Sequence, residues 1–415
     1  MQKTRLLPLA LLLLSQMVAA QTGLQNYELR NGNWFNGQEF TTGTWYTNQG
    51  LLTRKMPAKV DSVLDLSNRW IIPPMADAFC ASVADNAAAA LLLQTYFDEG
   101  VFYLQVLSNT QEGRTALQPL LNRPGTPDVL LANGGLTTTL GYPFAIYEGP
   151  ANGIRGQQKI AERYAFIRQQ RKMLGNAYWF IDNKKMLDSN WEKIKAQKPG
   201  IISIYLLDSQ KNGGKESGGL TADAAKAIVK KAHKSGLRVI AHVSTPDDLR
   251  LGLQLGVDGI ANLPGHNWDG IGGPERFELT NDDLKKLAKK KLAVTPLFFH
   301  AQGASNLAVV QQWQAKTLQR LFENGVNVVI GSDDSQRTLR AELNYWRTLP
   351  SLNALAALKV LCENTPRAIF PERKIGKFAE GYEASFLTLT ENPLATNTLV
   401  LRTSPLRMKR GQVSR

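Results

Sequence analysis

The chain has 415 residues, 43% hydrophobic and 20% charged, with a formal net charge of +14. That composition excludes a disordered or collagen-like chain, and the length suits one large core with a smaller satellite. Two cysteines are too few to build a disulfide scaffold.

Residues 1–20 carry Lys3 and Arg5, an apolar run from Leu6 to Leu14, and then Val18-Ala19-Ala20. This pattern predicts an export signal cut before Gln21, and so a periplasmic or secreted protein. The run is well short of the roughly 20 apolar residues that a membrane-spanning helix needs. No transmembrane segment is expected after cleavage. Losing Lys3 and Arg5 takes the net charge from +14 to +12. The remaining basic residues, among them Lys184-Lys185, Lys230-Lys231 and Lys289-Lys290-Lys291, are scattered over segments that read as helix faces. We therefore expect solvated surface, not a nucleic-acid footprint. An envelope partner, a small molecule or self-association stays open.

Residues 21–70 alternate short strand-like runs with turn signals at Asn31-Gly32, Asn36-Gly37 and Gln49-Gly50. Over residues 71–370 the pattern changes to apolar runs separated by helix-length segments. The runs are Ile71–Phe79, Val101–Leu107, Asp128–Ala132, Ile201–Leu207, Leu237–Val243, Gly259–Leu263, Leu292–Phe298 and Val326–Ser332. Thr221–Ser235, capped by Thr221 and ended by Gly236, and Asn281–Lys290 read as helices between them. Apolar strands alternating with helices predict an α/β fold with a parallel sheet covered on both faces. Eight runs predict a (β/α)8 TIM-like barrel. Residues 371–415 return to short strands, Ala384–Thr390 and Thr398–Thr403, and an Arg410-Gly411 turn. The two β-rich ends are expected to form one small β-sandwich. Cys80 and Cys362 lie far apart along the chain, and two buried, inert thiols are expected.

Several blocks then carry a resemblance. They are Pro73-Pro74 running into Asp77-Ala78-Phe79-Cys80-Ala81, the run from Asp128 to Thr137, Ile202 to Leu207, Gly236 to Val243, Gly256 to Gly265, and Ile330-Gly331-Ser332-Asp333. A tail follows with Asn364, Ile375-Gly376, Gly381 and Ala384. In order and spacing these resemble the amidohydrolase superfamily, in particular its imidazolonepropionase-like and dihydroorotase-like metal-dependent hydrolases of C–N bonds. The resemblance implies a metal held at the strand ends by His-x-His on strand one, a lysine on strand four, histidines on strands five and six, and an aspartate on strand eight. The metal would lower the pKa of a bound water and the aspartate would take its proton.

Carried onto this chain, those positions are Phe79 and Ala81, Ser203, His242, Asn262 and Asp333. Phe79, Ala81, Ser203 and Asn262 are not the ligands that the pattern requires. His242 and Asp333 remain, as a core histidine or remnant ligand and as a vestigial general base or a capper of backbone amides. Replacement ligands, if any, are His266 and His300 just past strands six and seven. Asp208 and Asp334 follow strands four and eight. His242, Asp333 and His266 together would make a three-ligand set for zinc or another divalent metal. Cys80, between two inward positions, should face the helices. The expectation is a member with a degraded metal site and no cofactor, hence a pseudoenzyme or a protein that binds a small molecule or partner. The alternative is a hydrolase of non-peptide C–N bonds working through a reduced or rebuilt site centred on His242 and Asp333.

Overall fold

The computed structural model describes residues 24–84, 87–208, 218–350, 352–396 and 399–414. The expected export signal lies outside the described residues. Among those described, no helix is long and apolar enough to cross a membrane.

The N-terminal segment contributes β1 (Tyr27–Phe35), β2 (Phe40–Asn48), β3 (Leu51–Thr53), β4 (Ser62–Asp65) and β5 (Trp70–Ile72). The Asn36-Gly37 signal makes the β1–β2 hairpin, where Gly37 takes a positive φ. The Asn31-Gly32 signal does not make a turn. Asn31 has φ 60 inside β1 and marks a register shift between Leu29 and Gly32, so the strand bulges and continues.

Ten strands follow: β6 (Met75–Asp77), β7 (Val101–Val106), β8 (Asp128–Leu131), β9 (Gly135–Thr137), β10 (Tyr178–Phe180), β11 (Ile202–Tyr205), β12 (Val239–His242), β13 (Gly259–Ala261), β14 (Ala293–Thr295) and β15 (Asn327–Val328). The C-terminal end adds β16 (Phe386–Leu389), β17 (Thr403–Lys409) and β18 (Gln412–Ser414). Both chain ends meet in one sheet of order β18-β17-β16-β5-β1-β2-β3, with β4 beside β1. Its own core includes Leu29, Trp34, Trp45, Phe386 and Met408.

Three expectations need correction. The run Ile71–Phe79 is two strands in two sheets: β5 pairs with β1 and β16, whereas β6 pairs with β7. Pro73-Pro74 lies between them, and proline has no N–H to extend a ladder. The strand expected at Thr398–Thr403 begins where that run ends, as Thr403–Lys409. Val326–Ser332 yields only the two residues of β15, because its later amides turn to other partners, Ile330 to the Thr365 hydroxyl and Ser332 to Asp77.

The parallel strands form two groups, β6-β7-β8 and β10-β9-β11-β12-β13-β14-β15. Backbone bonds join them on both sides, Gly200 N–H to Leu131 O at 2.9 Å and Ala78 N–H to Ile330 O at 2.8 Å. β9 and β10 fall outside the eight expected runs; β9 starts within a Gly134-Gly135 pair, a residue type that weakens strands. Gly135 is required by packing: a Cβ there would stand 2.5 Å from the Tyr205 ring.

Helices pack outside these strands. Helix Asn281–Lys290 begins in a Thr280–Asp283 capping box, buries Leu284 and Leu287, and ends at Lys291 in the left-handed conformation. Such a cap contributes on the order of 1 kcal/mol. Helix Ala222–Lys234 is capped by Thr221 as expected. The cysteines are free and buried. Cys80 does face the helix side, bonding Tyr96 at 3.4 Å, and burial pushes its thiol up to about 12. Asp128 on β8 binds Lys409 at 2.7 Å, Arg373 at 2.8 Å and Arg410 at 2.6 Å, which ties the terminal sheet to the parallel strands.

Candidate active site

The parallel strands present their C-terminal ends on one face, and most of the residues singled out from the sequence converge there. Phe79 follows β6 and is 6% exposed. Its neighbours in an interior cluster are Leu107, Ala132, Ile201, Ile240, Ala261 and Leu297. This cluster is separate from the larger core against the helices. Phe79 O accepts from Asp333 N–H at 2.7 Å and Ser332 N–H at 3.2 Å, which fixes the backbone of the ring to the last strand.

His242 ends β12 and is 3% exposed. Its ring stacks on Tyr205 at 4.3 Å and 15°, and meets the Phe79 ring edge-on at 5.1 Å. Ser203, the strand-four position, places Oγ 2.9 Å from His242 Nε2. Burial lowers the His242 pKa to about 3, against an opposing pull from Asn262. The ring is therefore neutral at pH 7, and Ser203 is the natural donor to it.

Asn262 follows β13 with φ 70 and is 9% exposed. Its Nδ2 lies 3.2 Å from His266 Nε2. The other nitrogen of His266, Nδ1, lies 3.1 Å from Leu263 O, a pure acceptor, so Nδ1 carries the proton and Nε2 accepts from Asn262. Asn262 Oδ1 is buried beside the His242 ring and makes no well-formed hydrogen bond. Burial lowers the His266 pKa to about 4.

The row continues outward. The His266 and His300 rings are 5.6 Å apart, and His300 Nε2 is 3.6 Å from Asp333 Oδ2. Burial lowers His300 and raises the Asp333 carboxyl well above its ordinary value, with Asp77 and Asp334 adding repulsion. The strand-end amides expected for Asp333 go elsewhere. Asp77 accepts from Phe79 N–H at 3.0 Å and Ser332 N–H at 3.1 Å, and Asp334 caps Gln336 and Arg337.

Four residues were not foreseen. Asp77, fully buried, binds Ser332 Oγ at 2.6 Å and so holds the first strand to the last. Glu342, also buried, accepts the amides of Phe298 and Phe299 and thereby fixes the turn that carries His300. Tyr205 supplies the wall of the His242 ring. Tyr142 meets Tyr205 edge-on at 5.4 Å and 63° from an insertion between β9 and β10, which includes helix Phe144–Ala151 and is anchored by Tyr147 to Ser108 at 2.7 Å. The Asp preceding the strand-one positions was the one signal for Asp77. The others depend on contacts across the fold.

Ala81 is partly buried and has no polar side-chain atom to join the row, and Asp208 donates its backbone N–H to Asp248 at 2.7 Å. Among the described residues no group of three or more His, Cys, Asp or Glu side chains is placed to hold a metal ion. The three-ligand set of His242, Asp333 and His266 is thus not assembled.

Comparisons with known proteins add the following. A sequence profile described as the amidohydrolase family matches residues 131–408. The ochratoxinase of Aspergillus niger is 23% identical over 185 residues. That match spans 41% of this chain and only 36% of the relative. Among solved structures, an amidohydrolase superposes with a TM-score of 0.70 at 16% identity, covering 94% of this chain and 98% of its own. The A. niger ochratoxinase structure gives 0.70 at 14%, covering 94% and 95%. A Xaa-Pro dipeptidase with bound methionine gives 0.68 at 13%, covering 94% and 99%. At these identities the structural likeness shows a shared fold.

Proposed function

The chain belongs to the amidohydrolase family, and we propose that it is a member whose metal site has been converted into a binding site for a small uncharged molecule. In this reading eight of the ten parallel strands, β6–β8 and β11–β15, make one (β/α)8 barrel, β9 lies beside β11 and β10 beside β9, and the terminal sheet is its split β-sandwich. The protein is exported.

The observation that carries the reading is the Phe79 ring among Leu107, Ala132, Ile201, Ile240, Ala261 and Leu297, at a position where the family pattern has a metal ligand. Ala81 offers no lone pair, and Ser203 spends itself on His242 Nε2. These residues do not fit a divalent metal. The rim above them suits a neutral ligand instead. Tyr142, half exposed, offers an aromatic wall over the buried Tyr205, and the lowered histidines are uncharged. Asn262 Oδ1 lies beside the His242 ring, whose Nδ1 carries the proton, but makes no well-formed hydrogen bond, so a ligand N–H or O–H would complete it. A better-placed donor would recover part of the roughly 1–3 kcal/mol that an unsatisfied buried acceptor costs.

Metal analysis of the purified full chain after growth with zinc and dialysis tests this. Well under one metal per chain is expected. Stoichiometric zinc or manganese that survives dialysis sinks the proposal.

One observation favours a second reading, a hydrolase without metal. Ser203 Oγ and His242 Nε2, 2.9 Å apart, have the spacing of a nucleophile and its base. Against it, Ser203 is 1% exposed and the imidazole, with a pKa of about 3, is a weak base. Labelling by a fluorophosphonate that disappears in Ser203→Ala would favour the hydrolase.

A further inference from the structure

The N-terminal ends of the strands, opposite the site above, surround an open hollow of about 1040 Å³. Its wall carries Arg238, Lys290, Lys291, Lys359 and Arg367, and a single carboxylate, Asp258. The fold explains part of this concentration. Helices that run back between parallel strands deliver their C-terminal ends, with the negative pole of the helix dipole, to this face. Three cations serve such ends or the loops beside them. The Arg238 guanidinium donates to Ala368 O and Ile369 O, Lys290 Nζ to Leu253 O at 2.9 Å, and Arg367 to Gly376 O at 2.8 Å.

The helix ends do not account for the rest. Each supplies roughly half a unit of negative charge, which falls off within a turn. Asp258 is committed already, accepting from Val239 N–H at 2.7 Å and lying 2.8 Å from His233 Nε2. Among the described residues, no side-chain hydrogen bond or ion pair within salt-bridge distance is made by Lys291 or Lys359. Glu363 pairs with Arg367 at 3.3 Å and also feels the Lys359 charge, so one carboxylate is shared by two cations and net positive charge remains at the rim, most of it at Lys291. A separate chamber of about 20 Å³, with Ala78, Ile240 and Val329 beside Gln105 and Thr295 in its lining, shares Arg238 and Asp258 with the hollow.

We propose that this hollow binds a soluble small molecule carrying two or more phosphate groups. Lys291 and Lys359 would make the new contacts, with Arg238, Lys290 and Arg367 held behind them by the helix ends. Phosphate fits because each group brings up to about two negative charges in a small volume, whereas carboxylates bring one. The hollow also has the size of a ligand site, on the order of 300–1,000 Å³. The inference is independent of what happens at the other end of the strands.

Calorimetric titration of the full chain with inorganic tripolyphosphate, at about 0.05 M and about 0.2 M salt, tests it. Saturable one-to-one binding that weakens with salt is expected. Lys291→Glu with Lys359→Glu should lose about tenfold or more in affinity, since each reversal replaces an attraction with a repulsion. Lys291→Ala with Lys359→Ala should lose less than the reversed pair but more than the control. That control, Lys185→Glu with Lys230→Glu, makes the same charge change on helix surfaces outside the hollow and should lose less than about twofold if the site is local. Absence of saturable binding, or an equal loss in control and test variants, overturns the proposal.

Discussion

The two ends of the parallel strands treat charge in opposite ways. At the C-terminal ends, titratable groups sink into apolar surroundings and lose their charge: His242 and His266 are lowered by burial, and Phe79 fills the space between strands. At the N-terminal ends five cations gather around an open hollow, three of them tethered to carbonyls and all within reach of water. A charge survives in a protein where solvent or an opposite dipole meets it, and it is extinguished where neither does. The first end is built from packing and the second from electrostatics, so substitutions should read out differently at each.

The largest effect is expected at Phe79. Phe79→Ala empties the interior cluster and should cost about 3–5 kcal/mol in chemical denaturation, as large-to-small core changes do. Phe79→His should also destabilise, by placing a polar ring among Leu107, Ile240 and Leu297. If both variants lose less than about 1 kcal/mol, the mouth is an open pocket and the contrast between the two ends fails.

Ser203→Ala comes next. It leaves His242 Nε2 without its donor in a buried setting and should cost about 1–3 kcal/mol. Ser203→Thr, which keeps the hydroxyl, should recover part of that loss if the ring depends on the bond. An alanine variant as stable as the parent would show that the pair contributes nothing.

The pH dependence follows from His242. Its folded pKa, about 3, is below the ordinary value of 6.5, so the unfolded chain takes up the proton first as pH falls. The stability that the neutral ring contributes is fully present above pH 6.5 and is lost as pH falls toward 3. The cost of His242→Asn, measured against the parent at several pH values, should therefore shrink by up to about 1.4 kcal/mol per pH unit in that window. A cost that does not vary with pH would mean the histidine titrates normally.

The smallest effect is expected at the hollow. Lys291→Ala should change stability by no more than about 0.5 kcal/mol, because the side chain is exposed. A loss of several kcal/mol would assign Lys291 to packing and erase the distinction drawn above.

The sequence by itself determined the alternation of strands and helices and the identity of the missing donors. Apolar runs separated by capped helices located eight of the ten parallel strands, because strand burial and helix capping are written in local residue order. The loss at Phe79, Ala81, Ser203 and Asn262 was legible for the same reason: a motif is a spacing. The break inside Ile71–Phe79 is legible too, in Pro73-Pro74, although the apolar run continues across it. Only the tertiary structure decided what the surviving residues do. It set Ser203 against His242, stacked Tyr205 beneath that ring through the space that Gly135 leaves open, aligned Asn262, His266, His300 and Asp333, and gave the amides of the first and last strands to Asp77. It also turned lysines that read as ordinary helix surface into the wall of one hollow. The physical reason is distance along the chain. Hydrogen bonding, stacking and field strength depend on separations of a few ångströms between residues tens to hundreds of positions apart, and no local pattern encodes those.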